Sequence, residues 1–289
     1  MSGATSIEQA FQARRRQRRA RAVAGGALLL GLLIVSAVIA EAFLDALGAG
    51  LPRMGEYFGR LIPDLHLAEL FAGSKIQGSL AFWMYRADSW LWLLFETSQI
   101  AALATLAGAM IAVLLCFPAA SNLAPNRATY LVFRRLLELF RTVPDIVYAL
   151  ILVWAFGVGP LAGILAIGLH TVGALGKLFA EVVENSTMGP WHATLATGAN
   201  WAQCVRYAIL PQVLPNFLSY VLLRFEVNVR GATVIGFVGA GGIGQELYQV
   251  ISFSYYQEIS AIVALIILGV VAIDLSSAWL RHRAIRQPA

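Results

Sequence analysis

Five long stretches of this chain carry no Lys, Arg, Asp or Glu: Ala22–Ala40, Thr97–Asn126, Ile146–Gly176, Tyr207–Leu223 and Ile259–Ile273. A membrane-spanning helix needs about 20 apolar residues, and in lipid it must satisfy its own backbone hydrogen bonds. Soluble domains carry about a quarter charged residues, whereas only 13% are charged here and 59% are hydrophobic, with mean hydropathy +0.72. The expectation is an all-α integral membrane protein that crosses the bilayer several times. Ile146–Gly176 is too long for one crossing, and Gly157, Gly159, Pro160 and Gly163 mark a tight turn inside it. Six transmembrane helices are predicted, near 22–41, 90–117, 136–157, 161–183, 209–232 and 258–280.

Basic residues set the orientation. ARRRQRRAR, from Ala13 to Arg21, abuts the first apolar run. Arg127, Arg134, Arg135 and Arg141 lie between the second and third helices, and Arg281, Arg283 and Arg286 follow the sixth. Six crossings bring all three clusters to one face, which the positive-inside rule makes cytoplasmic, with both termini. The opposite face receives Glu41–Ser89, with six acids against four bases. The net charge of +5 is then a topology signal, and lipid is the expected partner in place of nucleic acid. Ala40-Glu41-Ala42 fits a small-x-small cleavage site, but the apolar run before it exceeds the usual 7–15 residues, so an uncleaved anchor is expected.

The segments follow from this. Residues 1–21 read as a flexible Arg-rich cytoplasmic tail, 22–41 as the first transmembrane helix, 42–89 as an extracytoplasmic or interfacial segment, 90–280 as the core and 281–289 as a cytoplasmic tail. Within 42–89, Met54, Tyr57, Phe58, Leu61 and Ile62 share one helical face, which suits a helix lying in the interface. Trp83, Tyr85, Trp90 and Trp92 mark an aromatic belt. Cys116 and Cys204 imply neither a disulfide framework nor a metal cluster, and no cofactor is expected.

Three stretches invite chemistry. GAGGIG matches the dinucleotide spacing, yet that fingerprint works only between a strand and a helix. Gly239, Gly241, Gly242 and Gly244 instead allow unusual backbone angles, and a gate or pathway-lining loop and a flexible turn both stay open. RFEVNVRGAT places Arg224, Glu226, Asn228 and Arg230 at membrane depth, where an unpaired charge costs at least about 2.5–3.5 kcal/mol. Internal pairing, such as Glu226 with Arg230, and a polar wall suited to an anion are both open. His170, Lys177 and Glu181 form a similar set, with Lys177 and Glu181 spaced for an ion pair. PWHATLATGANWAQCVRYAILP is too polar to span and falls in the cytoplasm, with Trp191, Leu195 and Ala202 on one helical stripe. It is either an ordinary loop helix or a surface that docks in a partner's groove.

That last stretch resembles the cytoplasmic loop signature of binding-protein-dependent ATP-binding-cassette (ABC) permeases. Gly198, Leu210 and Pro211 match; His192 stands where the family usually has Glu, and Ala193 and Thr194 stand at its two alanines. The block from Tyr207 to Leu247, with RTVPD and GLHTVGALGKLFAE, resembles the phosphonate-class importer permeases. The resemblance implies a MetI-like type I importer core in a bacterial cytoplasmic (inner) membrane, with a coupling helix near 188–204 made of His192, Ala193, Thr194, Gly198, Leu210 and Pro211. It further implies a homodimer, two copies of an ABC ATPase subunit and an extracytoplasmic phosphonate-binding protein, moving phosphonate, phosphite or phosphate. On this reading the chain is a transport subunit and no enzyme: ATP hydrolysis falls to the ATPase, since Gly176-Lys177 lacks the rest of a P-loop. A methionine or amino-acid importer and a membrane-embedded enzyme are the alternatives.

Overall fold

The computed structural model describes residues 2–40 and 44–285, so Glu41, Ala42 and Arg286 lie outside the described residues. The chain divides into two compact units, one up to residue 60 and one from residue 61. The first holds α1 (Ser2–Ile39) and nearly all of α2 (Leu44–Leu61). The Arg-rich segment is helical and continuous with the apolar run, without a break between them. Pro52 lies inside α2, and Leu51, Met54 and Phe58 are exposed along it.

The second unit is a helical bundle. After α3 (Leu80–Trp83) come α4 (Ala87–Cys116), α5 (Arg127–Thr142), α6 (Asp145–Phe156), α7 (Pro160–Glu184), α8 (Gly189–Ala196), α9 (Trp201–Cys204), α10 (Leu210–Ile235), α11 (Ile243–Ser252) and α12 (Tyr256–Ile285). Among the described residues, four helices are long and apolar enough to cross a membrane: Phe11–Ile39, Ala87–Cys116, Pro160–Glu184 and Tyr256–Arg281.

The predicted helix over 136–157 is two helices. Pro144 has no N–H to give and forces Val143 out of the helical region, to φ −77° and ψ 122°. What remains, α6, has 12 residues and spans about 18 Å, well short of a bilayer's hydrocarbon core. Further along, α10 has the length but carries Arg224, Glu226 and Arg230.

The most extensive pairing is α4 with α7. Lipid tails are as apolar as Leu, so helices in a membrane gain from close packing and not from hiding hydrophobes, which favours small residues at contacts. Ala101, Ala104, Gly108 and Ala112 on α4 and Ala162, Gly163 and Ala166 on α7 are all buried. A Cβ on Gly108 would stand 2.8 Å from Thr171 and 3.0 Å from the Gly168 carbonyl oxygen. Leu137 of α5 is fully buried against α7, where a Cβ on Gly173 would lie 2.5 Å from Arg141 N and 2.7 Å from Leu137 O.

Three cores stack along the bundle: one around Phe117, Leu137, Phe179 and Phe217, one around Ile100, Ile167 and Val229, and one around Trp90, Ile243 and Ile262. Phe179 and Phe217 stack with ring centroids 4.0 Å apart.

Gly173→Ala should therefore overpack backbone against backbone and lower stability by about 1–3 kcal/mol. Gly26→Ala, with nothing within 4 Å, should be neutral or slightly stabilising. Thermal unfolding of the detergent-solubilised protein reads both.

Candidate functional site

The stretch after α7 is two short helices and not one. The backbone turns at Gly198, whose φ of +85° suits glycine and whose N–H donates to Leu195 O at 3.0 Å. Asn200 then restarts the helix with a capping box: Gln203 N donates to its Oδ1 at 2.9 Å, and its own N–H donates to Gln203 Oε1 at 2.8 Å. Ala202 therefore belongs to a different helix from Trp191 and Leu195, and the single predicted stripe is broken. A π-helical turn, Val205–Ile209, leads into α10, with Leu210 N donating to Val205 O. Pro211 cannot donate to the preceding turn, and the wider turn absorbs that loss.

This segment is tied firmly to the bundle. Trp201 Nε1 donates to Leu123 O at 2.8 Å. Gln212 Oε1 accepts from Thr187 N at 3.2 Å and Thr187 Oγ1 at 2.7 Å, while its Nε2 donates to Ala208 O at 2.6 Å and Thr187 O at 3.3 Å. Ser121 N donates to Glu184 Oε1 at 2.9 Å. In contrast α8 buries none of its own side chains: His192 and Ala193 are exposed, Thr194 is half-buried, and Leu195 is 49% exposed. Gly198 and Pro211 are exposed and Leu210 is half-buried. A fixed base with an uncovered polar and apolar face can dock.

The run of α10 is paired across helices. Glu226 accepts from Arg281 Nη2 at 3.2 Å, and Arg230 Nη1 lies 3.3 Å from Asp274 Oδ2, so the expected Glu226 with Arg230 pair gives way to two bridges to α12. Facing the other way, Asn228 is 3% exposed and donates to Thr105 Oγ1 at 2.8 Å and Thr171 Oγ1 at 2.9 Å. Arg224 is half-buried, and its Nε has no hydrogen-bond partner among the described residues. Lys177 lies 4.0 Å from Glu181 as its spacing predicts, and Arg134 reaches Glu181 at 3.8 Å and Glu184 at 3.5 Å. His170 Nδ1 sits 3.1 Å from Val143 O, at the break between α5 and α6.

The glycine loop is close-packed. Gly239, Gly241 and Gly242 take φ of +88°, +84° and +73°. Gly159 N donates to Gly239 O at 2.9 Å, and Ile243 N to Thr97 Oγ1 at 2.9 Å. A Cβ on Gly244 would collide with Thr233 O of α10. Beside the loop lies a cavity of about 360 Å³ lined by Glu96, Gln245, Glu246 and Gln249 among others.

Residues 105–286 match the family described as binding-protein-dependent transport system inner membrane component. A phosphite transport system permease protein of Stutzerimonas stutzeri is 36% identical over 260 residues, covering 90% of this chain and 86% of that protein. The chain belongs to this permease family. A phosphate-import permease protein of Mycolicibacterium smegmatis is 36% identical over 190 residues, covering 66% of this chain and 36% of that protein. Among solved structures, the inward-facing MetNI methionine ABC transporter matches with TM-score 0.59 at 20% identity, over 68% of this chain and 95% of that one. The permease is thus a multi-pass inner-membrane component with a MetI-like fold.

Sequence reasoning missed several polar residues of this permease. Glu96 directly precedes the uncharged run that begins at Thr97, so it escaped notice, as did Asp274 inside the last helix and the threonines that hold Asn228. Asking which charges fall inside each predicted span would have found both acids. Arg86 binding Glu246 at 2.9 Å has no local signal, since 160 residues separate them. Near it, the Tyr85 phenol is pushed above its ordinary value by burial and by its hydrogen bond to Glu258.

Gln212→Ala should free the 187–204 segment by removing four hydrogen bonds at once. Hydrogen exchange at Thr187 and in α8 should rise at least tenfold, with α7 unchanged, as read by mass spectrometry.

Proposed function

We propose that this permease carries phosphonate or a related phosphorus oxyanion, such as phosphite or phosphate, into the cell. The observation that carries the reading is the 36% identity to a phosphite permease over 90% of the chain. The methionine transporter, at 20% identity, shares the fold and gives no guide to the cargo. Two arginines in α10, Arg224 and Arg230, supply the charge an anion path needs, with Glu226 and Asn228 on the same helix.

On this reading the chain crosses the membrane six times with both termini in the cytoplasm. The broken pair α5 and α6 provides the third crossing, and α10 the fifth. One permease core per chain calls for a homodimer around a shared path. Two copies of an ABC ATPase subunit seat on the exposed faces of α8, and an extracytoplasmic binding protein delivers substrate near the glycine loop. His192, Ala193, Thr194 and Gly198 form the docking surface, with Leu210 and Pro211 at the start of α10.

The mechanism follows from the anchors. Closure of the ATPase pair pushes α8; Trp201 and Gln212 carry the displacement to α4, α7 and α10; α10 passes it to Gly239, Gly241, Gly242 and Gly244 through the close contact of Gly244 with Thr233. Interfaces packed this tightly shift as units.

Uptake of labelled 2-aminoethylphosphonate, by cells expressing the permease with an ATPase and a binding protein, should be ATP-dependent. Phosphite or phosphate in excess should compete and methionine should not; competition by methionine alone would overturn the cargo. Gly198→Val should strain the turn, since a β-branched residue resists positive φ. In proteoliposomes it should cut uptake at least tenfold while ATP hydrolysis persists, and unchanged uptake per ATP would remove α8 from coupling.

A further inference from the structure

Ion pairs match most of the charges that the inner helices carry, and Arg224 stands outside them. Lys177, Arg230 and Arg281 each have a carboxylate within 4.0 Å. Arg224 has none at that distance among the described residues, and its Nε is buried without a hydrogen-bond partner. Asp145, at the start of α6, is the acid that this helix brings against α10, and it makes no ion pair with Arg224 within 4.0 Å. One oxygen of Asp145 accepts from Ile146 N at 3.0 Å, while the other faces α10, 3.4 Å from where a Cβ on Gly231 would stand.

This arrangement sits at the break between α5 and α6. Val143 and Pro144 are extended where a helix would otherwise continue, and irregular backbone at membrane depth is tolerated where it lines a cavity or is buried in protein. His170 reaches the same break from α7 through Val143 O. A guanidinium presents five donors in a planar fork that fits an oxyanion bidentately. A carboxylate seated directly on the fork would have to be expelled in every cycle. Asp145, held back by Ile146 N and Gly231, compensates the resting charge while leaving the fork open.

We propose that Arg224 is the side chain that contacts the transported oxyanion, with Asp145 as the counter-charge it faces between substrates. The assignment rests on the phosphorus-oxyanion reading. It separates Arg224 from Glu226, Asn228 and Arg230, which hold α10 to its neighbours.

The test uses the full complex in proteoliposomes, with 2-aminoethylphosphonate as the probe and co-purification of the ATPase as the assembly check. Arg224→Gln should lower uptake at least tenfold with ATP hydrolysis retained, and Arg224→Lys should fall between it and the wild type. The double variant Arg224→Gln/Asp145→Asn should stay defective, because neutralising both charges restores balance but not the donor fork. Recovery in the double variant, or undiminished uptake in Arg224→Gln, would reduce Arg224 to a partner of Asp145 and overturn the proposal. If Arg224→Gln does not assemble, Arg224→Lys decides: wild-type uptake per assembled complex would overturn the proposal equally. A wild-type complex that moves no phosphorus oxyanion would instead remove the substrate reading on which the assignment stands.

Discussion

Asn228 lies between the hydroxyls of Thr105 and Thr171, and this junction holds three helices at one depth. An amide buried in lipid with no partner would be costly, so the three side chains define the register of α4, α7 and α10 together. The register in turn requires glycine and alanine where α4 meets α7, since a single Cβ on Gly108 already crowds Thr171. Hydrogen bonds in membranes average only about 0.6 kcal/mol, so the junction acts through specificity more than through strength. Its geometry also settles which way α10 faces. With Asn228 turned inward, Arg230 and Glu226 meet α12.

Proline places the irregular backbone. Pro144 splits a helix at membrane depth, and Pro211 is accommodated by the π-helical turn before α10. A side chain meets a carbonyl at each break: His170 at Val143 O, Gln212 at Ala208 O. The satisfied breaks behave as fixed joints between rigid segments. The positive-φ glycines at 239, 241 and 242 make a third joint, packed against the turn at 157–160 and Thr97.

Much of this was legible in the residues. Long uncharged runs announced membrane helices, and Gly157 to Pro160 announced the turn between α6 and α7. The break at Pro144 was visible as a proline, yet hydropathy carried the predicted helix through it because the flanking residues are apolar. Partner choice was not legible. Glu226 and Arg230 are four apart and would pair on an isolated helix, but Arg281 and Asp274 approach from 55 and 44 residues away. Only tertiary packing ranks such competitors. The helical state of residues 2–21 was hidden for the opposite reason, since a charge-rich composition resembles a tail whatever its backbone does.

The placement of α10 carries the synthesis one step further. Its first turns belong to the core around Phe179 and Phe217, and its last to the core around Ile235 and Ala240. Beyond it, the glycine loop turns back so that Gly244 abuts Thr233. One helix thus joins the anchored 187–212 segment to the glycine loop, with Arg224 between them. A displacement at Gln212 cannot dissipate within α10, because a helix is stiff along its axis and Pro215 alone interrupts its ladder. It must reappear either at Arg224 against Asp145 or at Gly244 against the loop. The contacts at those two places are of different kinds. Gly244 and Thr233 meet backbone to backbone and move together, whereas Arg224 and Asp145 stand apart and can change their separation. On the proposed reading, the separation of Arg224 and Asp145 is therefore what a motion of α10 would alter while the close-packed contacts stay intact.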